Sequence, residues 1–239
     1  MKNYLYRNLL LISLCAIFSV SVFPQKKNSD VKTPVSPASP KAPKIQLSTL
    51  ELAVVDELNE ARSNPQKYVG YLEEQRRALR GNIIKMPKKT DVQTIEGAAA
   101  IDEAVNDLKL VSNLAGFQVG EGLTGVARAQ LADLQENSKL GHFGKDGSDL
   151  KTRMARFGSA MGKCGENICH RGNTARDVVM IFLVDDGVKE RPHRKAVLSP
   201  NFKQIGVACG IGKNAESLCV VVFADSFKDK TAVPAAVEF

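Results

Sequence analysis

The sequence predicts an α+β domain with a small antiparallel sheet. Two observations carry this. Helical periodicity fills the stretch from Ser48 to Val184, and two β-branched runs, Gln204 to Ile211 and Leu218 to Ala224, come only at the end. The second run is apolar on both parities, as in a central strand covered on both faces.

The first helix opens at Ser48. Ser48 and Glu51 have the spacing of a capping box, and Leu47 with Leu52 fits a hydrophobic staple. Leu52, Val55 and Leu58 recur at helical spacing, and the helix should end at Asn64, because the residue before Pro65 disfavours the α conformation. Residues 80–97 combine Gly81, Pro87 and a lysine cluster and read as a loop. Ile101, Val105 and Leu108 mark a second helix; Leu123, Ala127, Leu131 and Leu134 mark a third. A short helix follows Asp149, with Leu150, Met154 and Phe157 on one face. Thr174 caps another, with Asp177 at the box position and Val178, Ile181, Phe182 and Val184 as its apolar face.

The chain has 239 residues, 44% of them apolar and 25% charged, which is a globular composition. Its net charge of +7 is concentrated at the front. Lys2 and Arg7 give residues 1–24 two positive charges, and five lysines against Asp30 give residues 25–45 four. Only one is left for residues 46–239, so the domain has no basic excess for nucleic acid, and it has no aromatic platform motif either.

Residues 1–24 read as an export signal: a positive start, then an uncharged apolar run from Leu9 to Phe23 that is short for a bilayer span. Cleavage near Ser19-Val20-Ser21 or near Gln25, lipidation at Cys15 and an uncleaved anchor are the alternatives. Residues 25–45 carry Pro34, Pro37, Pro40 and Pro43 among serines and lysines, the composition of an extended tether that can rest on an anionic envelope surface. The domain is expected over 46–226, with 227–239 as a loose tail.

Without Cys15 there are four cysteines, an even number suited to two disulfides in an exported chain. Cys209 and Cys219 flank a turn-like stretch and would face each other in a hairpin centred on Asn214. That leaves Cys164 with Cys169, closing a tight loop. A reactive thiol is the alternative, and nothing in the sequence marks one cysteine for it.

No phosphate-binding glycine loop follows a strand, no G-x-S-x-G elbow is present, and Glu190-x-x-His193 lacks the second histidine of a zinc helix. What remains is His142, in Gly141-His142-Phe143-Gly144-Lys145-Asp146-Gly147-Ser148, and His193, in Arg191-Pro192-His193-Arg194, with Gly165-Glu166-Asn167-Ile168 between them. Histidines and carboxylates on separate elements can meet in one cleft. There they suit a divalent metal, or general acid–base work near neutral pH.

Gly141-His142-Phe143, Gly147-Ser148-Asp149, Gly165-Glu166-Asn167-Ile168 and the stretch from Asp186-Gly187 through His193-Arg194 to Gly206-Val207-Ala208 come in the order of the CAP superfamily. That group takes in cysteine-rich secretory proteins, antigen 5 and pathogenesis-related 1 proteins, also called SCP-like extracellular domains. The chain resembles its exported microbial branch, over about residues 122–225, and Ser48 to Tyr71 resembles the family's first helix. The resemblance implies a three-layer α-β-α sandwich. It also implies a cleft of His142, Glu166, Asp185 and His193, able to hold zinc or another divalent cation.

Here the sequence departs from the family pattern. Phe182 stands where a tryptophan is usual, and Asp185 replaces a longer glutamate, which shortens its reach; Asp186 is the spare acid. Gly187 to Pro192 is an insertion relative to shorter microbial relatives. Asn167 is read as structural. The implied function is a binding or interaction module for an undefined protein or lipid ligand. A histidine- and acid-dependent or metal-dependent hydrolase and a lipid or sterol carrier are the alternatives. If the chain is an enzyme, the same four residues are its catalytic set.

Overall fold

A computed structural model describes residues 45–86, 90–137 and 141–230. The signal and tether readings, apart from Ile45 at the tether's end, and the final residues 231–239 lie outside them. In chain order the elements are α1 Thr49–Ser63, α2 Pro65–Ala78, β1 Leu79–Arg80, β2 Ile83–Ile84, β3 Val92–Gln93, α3 Ala98–Leu110, β4 Gln118–Val119, α4 Glu121–Glu136, α5 Leu150–Phe157, β5 Gly158–His170, α6 Ala175–Val184, α7 Pro192–Val197, β6 Gln204–Ile211 and β7 Ser217–Asp229.

The caps read from sequence are present. Ser48 and Glu51 form a reciprocal box on α1, Thr174 and Asp177 form one on α6, and the Asp149 carboxylate accepts the Thr152 N–H at the start of α5. Pro65 ends α1 and occupies the first turn of α2, where its missing N–H costs nothing.

The main sheet has the order β4-β6-β7-β5. β5, β6 and β7 are antiparallel, and short β4 adds a parallel edge beside β6. β7 is central and covered on both faces, as its two apolar parities require. Val221 and Phe223 face one layer, built on α1, α2, α3 and α6; Val220 and Val222 face the other, built on α4 and α5. The result is an α-β-α sandwich with two separate apolar clusters. α4 lies directly on β6 because Gly206 has no side chain: a Cβ there would stand 2.0 Å from the Leu123 carbonyl carbon.

Several expectations change. Residues 80–97, read as loop, hold the small antiparallel sheet β1-β2-β3. β7 runs to Asp229 rather than stopping at Ala224, so residues 227–229 belong to a strand and not to a tail. β5, α2 and α7 were not legible as elements. Cys209 and Cys219 are bonded, as expected, but Cys164 and Cys169 are free thiols. Both lie on β5, five residues apart, a span of about 16 Å in extended chain against the roughly 7 Å a disulfide allows. The odd spacing also sends them to opposite faces: Cys169 joins the α1–α6 cluster, and Cys164 packs on the α4–α5 cluster.

Candidate functional site

Two histidine–carboxylate pairs form the site, one from each side of the sheet. On the α4–α5 side the His142 loop is held by its carbonyls. The buried Gln130 of α4 donates Nε2–H to the Gly141 carbonyl at 2.7 Å, and Arg153 of α5 donates Nη1–H to the His142 carbonyl at 3.0 Å. The other Arg153 nitrogen, Nη2, donates to Glu166 Oε2 at 2.7 Å, and Glu166 Oε1 meets His142 Nδ1 at 3.0 Å. One buried guanidinium therefore fixes both the backbone of His142 and the carboxylate that orients its ring. The Glu166 side chain is 2% exposed, and that of His142 is 54% exposed.

The other pair sits where α6 turns into α7. Asp185 closes α6 in the left-handed region, at φ 52° and ψ 42°. That backbone turn compensates for the short side chain. Oδ1 reaches His193 Nδ1 at 2.6 Å, while Oδ2 accepts the His193 N–H at 2.8 Å and the Arg194 N–H at 3.3 Å. The carboxylate thus serves the first turn of α7 as well as the ring. Phe182 stacks on the His193 ring at 5.9 Å between centroids, which gives the residue in the tryptophan position a direct role. Arg194, fully buried, donates to the last carbonyls of α6, Leu183 at 2.6 Å and Val184 at 3.0 Å, and pairs with Glu103 and Asp107 of α3.

The pairs meet at β5. Glu166 and Asn167 are consecutive, so they point to opposite faces. Glu166 holds the His142 ring, and Asn167 Nδ2 donates to the His193 carbonyl at 3.0 Å. This is the structural role read for Asn167. His170 takes no part; its Nδ1 lies 2.8 Å from Glu216 at the far end of the strand.

Asp186 points away from the site. Its carboxylate accepts the Ile95 and Glu96 N–H groups at 2.6 and 2.8 Å and clasps the loop between α6 and α7 to the segment before α3. Gly187 N–H and the Arg191 guanidinium close the clasp on Glu96. A groove of about 500 Å³ opens beside it, lined by neither site histidine. The Arg191 hydrogen bonds, with help from the Gly187 N–H, hold the Glu96 carboxyl down at about 2 against an ordinary 4.5. A depressed carboxylate stabilises the fold above its unfolded value, and that contribution fades as pH falls through its folded one. Acid titration of the wild type should therefore lose clasp stability between about pH 4.5 and about 2. Arg191→Ala should flatten that part of a denaturation-versus-pH profile; an unchanged slope would remove the clasp from the acid response.

Carboxylates only accept, so each histidine donates from Nδ1, and in the neutral ring the acceptor is then Nε2. That is the tautomer a metal or a proton-transfer role needs. The four residues do not form one ligand set, however. Glu166 Oε2 is taken by Arg153 and Asp185 Oδ2 by backbone, and among the described residues no group of three or more His, Cys, Asp or Glu side chains could hold a metal. A divalent ion would be offered the imidazole Nε2 atoms, with the acids behind them. Sequence reasoning missed Arg153 and Gln130, because each sits on an amphipathic helix whose spacing accounts for its apolar residues alone.

The family model described as "CAP: Cysteine-rich secretory protein family" matches residues 103–223. The protein YkwD of Bacillus subtilis (strain 168), described as uncharacterized, is 30% identical over 105 residues, 44% of this chain and 39% of its own length. The chain thus spans about two fifths of that relative. An outer surface protein of Borrelia burgdorferi is 21% identical, with a TM-score of 0.41, covering 55% of this chain and 90% of its own. An extracellular protein containing an SCP domain from Bacillus anthracis is 21% identical, with a TM-score of 0.37, over 47% of this chain and 34% of its own. Venom allergen-like protein 4 of Schistosoma mansoni is 13% identical, with a TM-score of 0.37, over 80% of this chain and 97% of its own. The motif order from Gly141 to Ala208 and the sandwich around β7 agree with the matched family model: the chain belongs to the cysteine-rich secretory protein (CAP) family.

Proposed function

We propose that this protein is an exported CAP-domain binding module whose cleft takes up a divalent cation, such as zinc, through His142 and His193. One observation carries the reading: consecutive residues of β5, Glu166 and Asn167, hold the two histidines, and each ring is tied at Nδ1 to a nearly fully buried carboxylate. Orientation of that kind fixes the direction of the free nitrogen. Phe143, 69% exposed beside His142, offers the protein or lipid ligand an apolar contact. Export rests on the reading of residues 1–24 and agrees with the Cys209–Cys219 disulfide, a bond that persists in oxidising compartments.

The test is metal content. Wild type and the His142→Ala, His193→Ala double variant are dialysed against zinc, then against buffer, and measured by elemental analysis. The wild type should retain zinc and the double variant should lose it. Equal content in both would overturn the cleft assignment.

A further inference from the structure

We propose that Cys169, Cys219 and Cys209 form an exchange row, in which the disulfide can pass from Cys209–Cys219 to Cys169–Cys219 and move the free thiol from the core to Cys209. The three lie on neighbouring strands in one line. Cys169 of β5 is registered opposite Cys219 of β7, and Cys219 is registered opposite Cys209 of β6. Registered residues share a face of the sheet, and here it is the α1–α6 face: Cys169 and Cys219 belong to that apolar cluster, and Cys209 packs against it. The register therefore stands the free thiol of Cys169 beside the bonded Cys219.

The exchange needs no outside oxidant. The Cys169 thiolate attacks Cys219 Sγ; the Cys169–Cys219 bond forms as Cys209–Cys219 breaks. The electron pair leaves on Cys209 Sγ, which takes up the proton that Cys169 gave away. The middle cysteine is common to both arrangements. The outer two are two strand spacings apart, about 10 Å, and cannot bond to each other.

Burial sets when this happens. Cys169 is 3% exposed, and burial pushes its thiol up to about 12, so the row is quiet while the layer stays closed. Opening of α1 and α6 from the sheet would release it. The newly freed thiol would be the half-buried Cys209, whose N–H is bonded to Glu51 in the α1 capping box.

The test is disulfide mapping of the full chain in a glutathione redox buffer, by alkylation and peptide mass spectrometry. In Cys209→Ser, alkylation at Cys169 and Cys219 should be lost together as a Cys169–Cys219 bond forms, with Cys164 still labelled. In Cys219→Ser, Cys169 and Cys209 should both stay labelled. A folded Cys209→Ser variant that keeps Cys169 and Cys219 as free thiols would overturn the proposal. If that variant does not fold, the wild type decides: after incubation in mild urea, label at Cys209 with a Cys169–Cys219 peptide supports the row, and label at Cys164 and Cys169 with none at Cys209 overturns it.

Discussion

Arg153→Met should cost about 3–5 kcal/mol of stability, the range for breaking a buried ion pair from one side. The substitution leaves the Glu166 carboxylate buried with His142 beside it; it strips the donor from the His142 carbonyl and leaves the Ser148 carbonyl with the Gly144 N–H alone. For a domain of this size the melting temperature should fall by about 10 °C. A charge left stranded is the larger part of that cost. Adding Glu166→Gln to Arg153→Met should therefore recover part of the loss, although Glu166→Gln alone also destabilises. Chemical denaturation of the two single variants and the double variant measures this coupling. A loss under about 1 kcal/mol for Arg153→Met would remove the hub role.

The second large effect is expected at Arg62, at the C-terminal end of α1. Its guanidinium is buried and, among the described residues, has no carboxylate partner. It donates to the Ala115, Val197 and Ser199 carbonyls, each at 2.8 Å, and to Phe202 at 3.4 Å, and lies 4.0 Å from the centroid of the Phe117 ring. Burial pulls its pKa to about 10, which leaves it charged at neutral pH. Arg62→Met would leave several buried carbonyls without a donor, and the expected loss is about 3–5 kcal/mol. Arg62→Lys should not rescue it, because one ammonium cannot reach two segments in the planar fork the guanidinium uses. Val197 closes α7, the helix that carries His193. Hydrogen exchange in α7 should therefore rise more than the global loss predicts; exchange that rises uniformly would count against a specific anchor.

Caps and most of the apolar stripes were readable in advance because they are local; Leu52 of α1 and Ile181 of α6, both placed on a stripe, are exposed. Ser48 with Glu51, Thr174 with Asp177, and Asp149 each declare a helix within four residues. β5 declared nothing. Its sequence contains Gly158, Gly162 and Gly165 and no sustained alternation, and it is a strand because eleven residues of β7 are registered against it. Tertiary pairing decided that element, and local propensity could not. The site divides in the same way. Motif order brought out His142, Glu166, Asp185 and His193, but the division into two pairs depends on a left-handed turn at Asp185 and on a guanidinium from α5. Neither has a local signature. The Cys164–Cys169 expectation failed for the same reason: with β5 unseen, five intervening residues looked like a loop.

The two histidines rest on consecutive residues of a single strand yet belong to opposite layers of the sandwich. Their separation is therefore a gauge of how the two layers sit on the sheet. An ion held by both rings would act as a rivet through the domain, joining two apolar clusters that share only the strands between them. Its stabilisation would follow the logarithm of free ion concentration. That stabilisation should show first as slower separation of α4 and α5 from the helices on the other face. A ligand gripping only one ring would leave the layers free to part.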